Sequence, residues 1–545
     1  MNIKSFVLTL TMITTSQVVC AQMPHDAHMQ QVAQRQMQAM GLASKAEKLQ
    51  ETATLAIYGS NNGGFVVMNK QAEDHAVLGY STSKYDALHQ PCGFRWWLKA
   101  IDESLRENNG MRRSAGFYQP VKNFMKTTWG QDAPYNQYCP EIHGEKAPCG
   151  CIATSMAQVM RMYEWPDKGL GMGMYTVSGS NTPVYEEVNS TYNWSIMPNV
   201  PLSSATKSTI RKAVGTLLFD CGRAVKMNYT LQGSGAYDFD QALALARTFK
   251  YDSLMMRRMD RELFTDDEWM EAIVGEMQAG RPILYCGSSE ADGGHSFIFC
   301  GLDEDGKVYI NWGWDGDLNG YYDVSDIKPT LKGEPVYDFT EGQSMIIGLQ
   351  PMSENGSEGV YQSLFVGYVI QKAQVNRSGK KLELPGYYVY NAQFLPFVGI
   401  VGLNFESTDE QKHSKLIVVE DSKGEAVECY DGFANMVNNR FATVTLSVDN
   451  LPAGCYRVNW VSKAVEETNP QPMVGSDGRV LKPFYLSKDN SGRLQVSDQE
   501  ITTDMIGVQS SHESEGKVYN LQGRQVSPQT KGLLISSGRK MLKTK

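Results

Sequence analysis

Cys151 and His295 are the residues of this chain best placed to do chemistry. Cys151 follows Cys149-Gly150 and opens a run in which Ile152, Met156, Val159, Met160 and Tyr163 fall on one face. That period is the mark of an amphipathic helix, and Pro166 ends it. A thiol at a helix N-terminus meets unpaired backbone N–H groups and the positive end of the helix dipole, which favour thiolate. A neighbouring imidazolium can bring such a thiol down to ~3.5–7.5. The other reading is a buried structural cysteine. His295 lies in Asp292-Gly293-Gly294-His295-Ser296-Phe297, where two glycines let backbone or substrate approach closely. Strand-like residues 297–302, the turn Asp303-Glu304-Asp305-Gly306 and a returning run 307–311 form an expected antiparallel hairpin. His295 and Asn311 then sit near one open end. A side-chain amide there can accept from one ring nitrogen and hold the other toward a thiolate. Alone, His295 reads as a hydrogen-bonded surface histidine, but the other seven of the eight histidines lack a comparable setting.

These residues need elements to hold them. Residues 22–50 are rich in Gln and Met and read as a weakly ordered or helical lead. Two short β-type runs, 64–68 and 76–80, precede a helix with Phe94, Trp97, Leu98, Ile101 and Leu105 at helical spacing, stopped by Asn108-Asn109-Gly110. This makes a small α+β module. Residues 110–120 are polar, basic and turn-rich, an expected exposed linker. A mixed region follows to about 350. From about 360 to 500, β-type runs at 364–370, 416–419 and 442–446, with turn signals such as Pro452-Ala453-Gly454, point to a β-sandwich. The tail, 518–543, carries two short strand-like pieces around Lys531-Gly532.

Composition narrows the classes. A length of 545 residues suggests three or four units at about 150 residues each. With 41% hydrophobic and 20% charged residues, large cores can form. A net charge of -9 argues against a nucleic-acid partner, since phosphate binding wants a basic surface. Lys4, the apolar run 6–13 and Val19-Cys20-Ala21 read as a signal peptide, too short to span a bilayer. Val19 disfavours Cys20 as a lipoprotein cysteine. No later segment has about 20 uninterrupted apolar residues, so no transmembrane helix is expected. Nine of ten cysteines follow the leader, without a dense disulfide framework. Cys221, Cys286, Cys300, Cys429 and Cys455 read as small buried apolar residues, while Cys92, Cys139 and Cys149 stay open. The acidic turn 303–306 lacks calcium-loop spacing, and there is no phosphate-cradling glycine loop or zinc spacing, so no cofactor or metal is expected.

Ordered motifs add a resemblance. Trp129-Gly130-Gln131-Asp132-Ala133-Pro134-Tyr135-Asn136, Gly150-Cys151-Ile152-Ala153-Thr154-Ser155-Met156-Ala157-Gln158, Trp165-Pro166-Asp167-Lys168-Gly169, Gly233-Ser234-Gly235-Ala236, Gly294-His295-Ser296-Phe297 and Asn311-Trp312-Gly313-Trp314 follow one another. Together they resemble the streptopain family of papain-fold cysteine peptidases over about residues 50–350. The 144 residues from Cys151 to His295 fall within the ~130–150 described for papain-like enzymes. Residues 64–67 and 78–81 are similar to the family's inhibitory pro-domain. The tail motif Val518-Tyr519-Asn520-Leu521-Gln522-Gly523-Arg524 looks like carboxy-terminal segments of exported proteins of some Gram-negative bacteria.

The resemblance implies an α+β fold: a papain-like catalytic domain, a small α+β pro-domain and, beyond its reach, the β-sandwich. It implies Cys151 as nucleophile, His295 as base, Gln131 as an oxyanion-hole donor, and Asn311 and Trp312 orienting or shielding the imidazole. Trp312 and Trp314 read equally as core packing. It also implies a preference for a bulky apolar side chain just before the residue whose carbonyl is cut. Expected boundaries are 1–21 signal peptide, 22–118 inhibitory pro-domain, 119–351 peptidase, 352–505 sandwich and 506–545 tail. The expected protein is a secreted bacterial cysteine endopeptidase, an autoprocessed zymogen acting on protein or peptide substrates. Competing readings are an acyltransferase or amidase on the same Cys-His pair, and a surface binding protein with an inert peptidase scaffold.

Overall fold

The computed structural model describes residues 25–501 apart from 73–75, 108–117, 290–292, 325–341, 354–364, 368–371, 388, 409–412, 430–441 and 476–478, and beyond 501 the strand segments 518–520, 525–526, 532–536 and 539–543. The expected signal peptide, the stop signal at 108–110 and most of the expected linker lie outside the described residues.

One antiparallel sheet of ten strands organises the first 350 residues. Its order runs Glu47–Glu51, Leu55–Gly59, Phe65–Asn69, Val77–Ser81, then Gly320–Tyr322, Val308–Asn311, Gly293–Leu302, Ile283–Ser289, Gly342–Ile347 and Arg257–Asp260. The amino-terminal strands are therefore not a separate sheet. Tyr80 pairs with Tyr321, and Ser81 with Gly320, so the two parts share one ladder.

Alternation along each strand assigns its faces. Phe297 and Phe299 join one core with the helix Cys92–Glu107 and the helix Asp266–Gln278. Ile298 and Cys300 join the other, with the helices Cys151–Tyr163, Ser208–Ala224 and Asp238–Arg247. The strand Leu55–Gly59 is buried throughout because both of its faces are covered. Leu55 and Ile57 meet the helix Cys92–Glu107, while Ala56 and Tyr58 meet the helix His25–Ala39. The expected Gln- and Met-rich lead is thus a packed helix, with Met29, Ala33 and Met37 turned inward.

The expected hairpin forms, with Ile298 opposite Asn311 and a bulge between Phe299 and Leu302. Tyr118 is not free at the end of the expected linker, because its backbone N–H donates to Glu304 O at 3.1 Å. After residue 372, Lys381–Tyr387 and Ala442–Ser447 face a larger sheet built on Gly399–Ser407 and Gly454–Ala464. Leu382, Leu384 and Leu446 share a core with Leu403, Phe405, Val458 and Trp460, which makes the sandwich. In the tail, four short strands rather than two form an antiparallel sheet. Among the described residues, no helix is long and apolar enough to cross a membrane.

Candidate active site

Cys151 is the first residue of its helix and is half-buried. Gly150 before it has φ of +88°, a conformation that costs an L side chain dearly. A Cβ there would also stand 2.8 Å from both Met227 and the Ser234 carbonyl. Glycine is therefore required to bring the chain into the helix at this angle. The strand carrying His295 meets this helix one turn on, where Ser296 Oγ lies 2.8 Å from Ser155 Oγ, across 141 residues of sequence.

The two elements are clamped by buried hydroxyls. Ser155 Oγ lies 2.8 Å from Ser296 Oγ, and Gln241 Nε2 donates to Ser155 Oγ at 2.9 Å and to Ile152 O at 3.1 Å. His295 is half-buried and pairs with Gly287 on the neighbouring strand. By strand alternation it leaves the sheet on the face of Phe297 and Phe299, the face covered by the helix Cys92–Glu107.

Burial pushes the Cys151 thiol above its ordinary value, and the nearby Cys92 thiol adds to the rise. The N–H groups of Ser296, Ile152 and Cys151 oppose it. The helix terminus thus pulls toward thiolate as expected, while burial pulls the other way. Desolvation outweighs the helix terminus.

Gln131 is half-buried, and its carbonyl accepts from Cys149 N–H at 2.9 Å, which holds its loop beside the turn into Cys151. Asn311 is buried, and its amide bonds go elsewhere than to the imidazole. Nδ2 donates to Thr127 O at 2.7 Å and Gln158 Oε1 at 3.1 Å, while Oδ1 accepts from Gly313 N–H at 3.0 Å. Trp312 is buried with its Nε1 donating to Leu318 O at 3.0 Å. Its ring lies 4.9 Å from Phe297 and 5.9 Å from Phe94. It walls the site beside the His295 strand and is core packing at once.

Gln158, quoted above only within a motif, emerges as the hub. Fully buried, its Oε1 accepts from Trp129 N–H at 2.9 Å and from Asn311 Nδ2, so one side chain joins the Gln131 loop, the helix that Cys151 opens and the Asn311 turn. The signal was present in the sequence as a lone amide, two turns beyond Cys151, among apolar residues. Of the cysteines expected to be buried, Cys221, Cys300 and Cys455 are so, whereas Cys286 and Cys429 are half-buried.

Comparison with known proteins places this geometry. Residues 129–322 match the Peptidase C10 family, a span that contains Gln131, Cys151, His295, Asn311 and Trp312. Streptopain of Streptococcus pyogenes is 28% identical over 329 residues, covering 55% of this chain and 81% of that protein. The thiol protease/hemagglutinin PrtT of Porphyromonas gingivalis is 29% identical over 373 residues, and the match spans 63% of this chain but only 42% of that relative's length. Among solved structures, a fragment of Prevotella intermedia prointerpain A is 32% identical, with a TM-score of 0.49 and 56% of this chain and 98% of that chain covered.

Proposed function

Because the chain belongs to the streptopain family of papain-fold cysteine peptidases, we propose that it is an exported endopeptidase made as a zymogen, with Cys151 as nucleophile and His295 as general base. The observation that carries this reading is the buried 2.8 Å contact of Ser155 Oγ with Ser296 Oγ, which holds the strand of His295 against the helix that Cys151 opens. In the active state the imidazole takes the thiol proton, and the thiolate attacks the scissile carbonyl to form a tetrahedral oxyanion. The Cys151 N–H and the Gln131 side chain stabilise that charge. The imidazolium then protonates the leaving amine, and water hydrolyses the acyl-thioester. Asn311 and Trp312 position the turn that follows the His295 hairpin rather than touch substrate.

Residues 22–118 act as the inhibitory pro-domain on this reading. Gly93 supports it: a Cβ there would come within 2.8 Å of Trp312 and 3.0 Å of Phe297, so the first turn of the helix Cys92–Glu107 lies on the wall of the site. Cutting between residues 108 and 117 makes that association intermolecular and removes its high effective concentration.

Three substitutions test the chemistry on casein or a peptide substrate. Cys151→Ala and His295→Ala should each abolish turnover in folded protein, and activity within tenfold of wild type, ~1.4 kcal/mol of barrier, would overturn the assignment. Gln131→Ala should keep substrate binding but lose about 10²–10³ in kcat, ~2.7–4 kcal/mol. Wild-type protein should shorten by about a hundred residues on incubation, followed by intact mass, while Cys151→Ala stays full length. Full activity with residues 50–107 still attached would reject the zymogen reading.

A further inference from the structure

Immediately upstream of the nucleophile, Cys139 and Cys149 bracket the segment that leads into the Cys151 helix. Both are buried, at 1% and 0% exposure, and their sulfurs lie 3.8 Å apart. The backbones are already held together. Glu141–Ile142 pairs with Glu145–Lys146, Ala147 N–H donates to Pro140 O at 3.0 Å, and Lys146 Nζ donates to Cys139 O at 2.9 Å. Cys221 and Cys300, by contrast, turn toward the Met160 sulfur and the Tyr309 carbonyl.

We infer that Cys139 and Cys149 are oxidised to a structural disulfide when the chain folds in an oxidising compartment. Their separation must close from 3.8 Å to ~2.05 Å, a movement that side-chain rotation supplies where the backbone ends are fixed. The oxidant is a small-molecule or protein disulfide. One thiolate attacks it to give a mixed disulfide and one thiol; the second then displaces the other thiol, so two protein thiols become one disulfide and one oxidant disulfide becomes two thiols. Burial pushes the Cys149 thiol well above its ordinary value, so the reaction belongs to folding, before the pair is enclosed. Once enclosed, both sulfurs are shielded from solvent, so the bond should resist mild reductant in the folded chain. Because Cys149 N–H is bonded to Gln131 O, the crosslink would brace the loop of the oxyanion donor against the nucleophile turn. This inference does not depend on the peptidase reading.

The test uses the full chain carrying Cys151→Ala, exported by a foreign leader to the periplasm so that its own address does not matter. The protein is alkylated, unfolded without reductant, alkylated again and digested. The expected result is one peptide pair joined through Cys139 and Cys149, with both becoming alkylatable only after strong reduction. Cys139→Ser/Cys149→Ser should lower Tm by about 5–10 °C relative to the same background. Alkylation of both residues without reduction, or either one joined to a different cysteine, would overturn the inference whatever the double variant does.

Discussion

On the proposed zymogen reading, the thiol of Cys151 should have two electrostatic settings that titration tells apart. With the amino-terminal segment in place, burial and the Cys92 thiol hold it up. A raised value keeps the neutral thiol to higher pH, so alkylation, which follows thiolate, should begin only above the ordinary thiol range. Removing the segment takes away Cys92 and part of the burial, and an imidazolium can then act. The iodoacetamide rate at Cys151 should therefore rise at lower pH in processed protein than in full-length protein. Superimposed profiles would show that the segment does not set the thiol's state. Gln158 makes a second case. Gln158→Leu removes the acceptor shared by Trp129 N–H and Asn311 Nδ2; it leaves the buried Trp129 N–H unpaired, at ~1–3 kcal/mol, and leaves Asn311 Nδ2 with Thr127 O alone of its two oxygen acceptors. It should lower Tm and reduce kcat more than KM, because the Gln131 loop loses its anchor. Unchanged kcat in a destabilised protein would reduce it to a core residue.

Two glycines divide the labour of helix placement. Gly150→Ala forces a side chain into a left-handed turn against Met227 and the Ser234 carbonyl, and should cost nearly all turnover. Gly93→Ala should do the reverse, with its Cβ pushing against Trp312 and Phe297 to loosen the covering helix. Its expected mark is faster self-shortening by intact mass, and slower processing would contradict the covering role. The elements that frame the site could be read from the chain because their periods are strong. Ile152, Met156, Val159 and Tyr163 mark the nucleophile helix, Phe94 to Leu105 the covering helix, and the 303–306 turn the hairpin. Three things escaped. Asn311 looked free to hold His295, but its amide is committed to Thr127, Gln158 and Gly313, and commitment depends on partners up to 184 residues away. The burial that opposes thiolate at Cys151 is a tertiary property that its own helix does not carry. Fusion of the amino-terminal strands with the central sheet left no trace, since the pairing of Tyr80 with Tyr321 is set by tertiary register.

Among the described residues, polar contacts join the sandwich to the peptidase part. Arg247 donates to Phe394 O at 2.7 Å and to Glu428 at 3.1 Å, Arg479 pairs with Glu268, and Phe394 packs into the core beside the nucleophile helix. The peptidase part closes on itself before that, with Tyr163 OH donating to Leu349 O at 2.6 Å and Asp252 N–H to Gln350 O at 2.9 Å. A chain ending at Met352 should thus fold and cleave peptides, with a lower Tm from the uncovered Phe394 site. If it folds and is inactive, the sandwich completes the site. The shared ladder of Val77–Ser81 and Gly320–Tyr322 has its own outcome once the first part is cut away. On the proposed zymogen reading, activation would strip a neighbour from Gly320–Tyr322 and leave a row of unpaired N–H and C=O groups on the processed chain. Such a bare edge invites strand addition. Its three residues are too short for easy fibre growth, and a side chain at Gly320 would collide with the Tyr80 carbonyl, so a fitting strand must approach closely. The freed segment remains the best-matched strand in solution, and crowded enzyme should therefore quench itself with its own cleavage product until that product is digested.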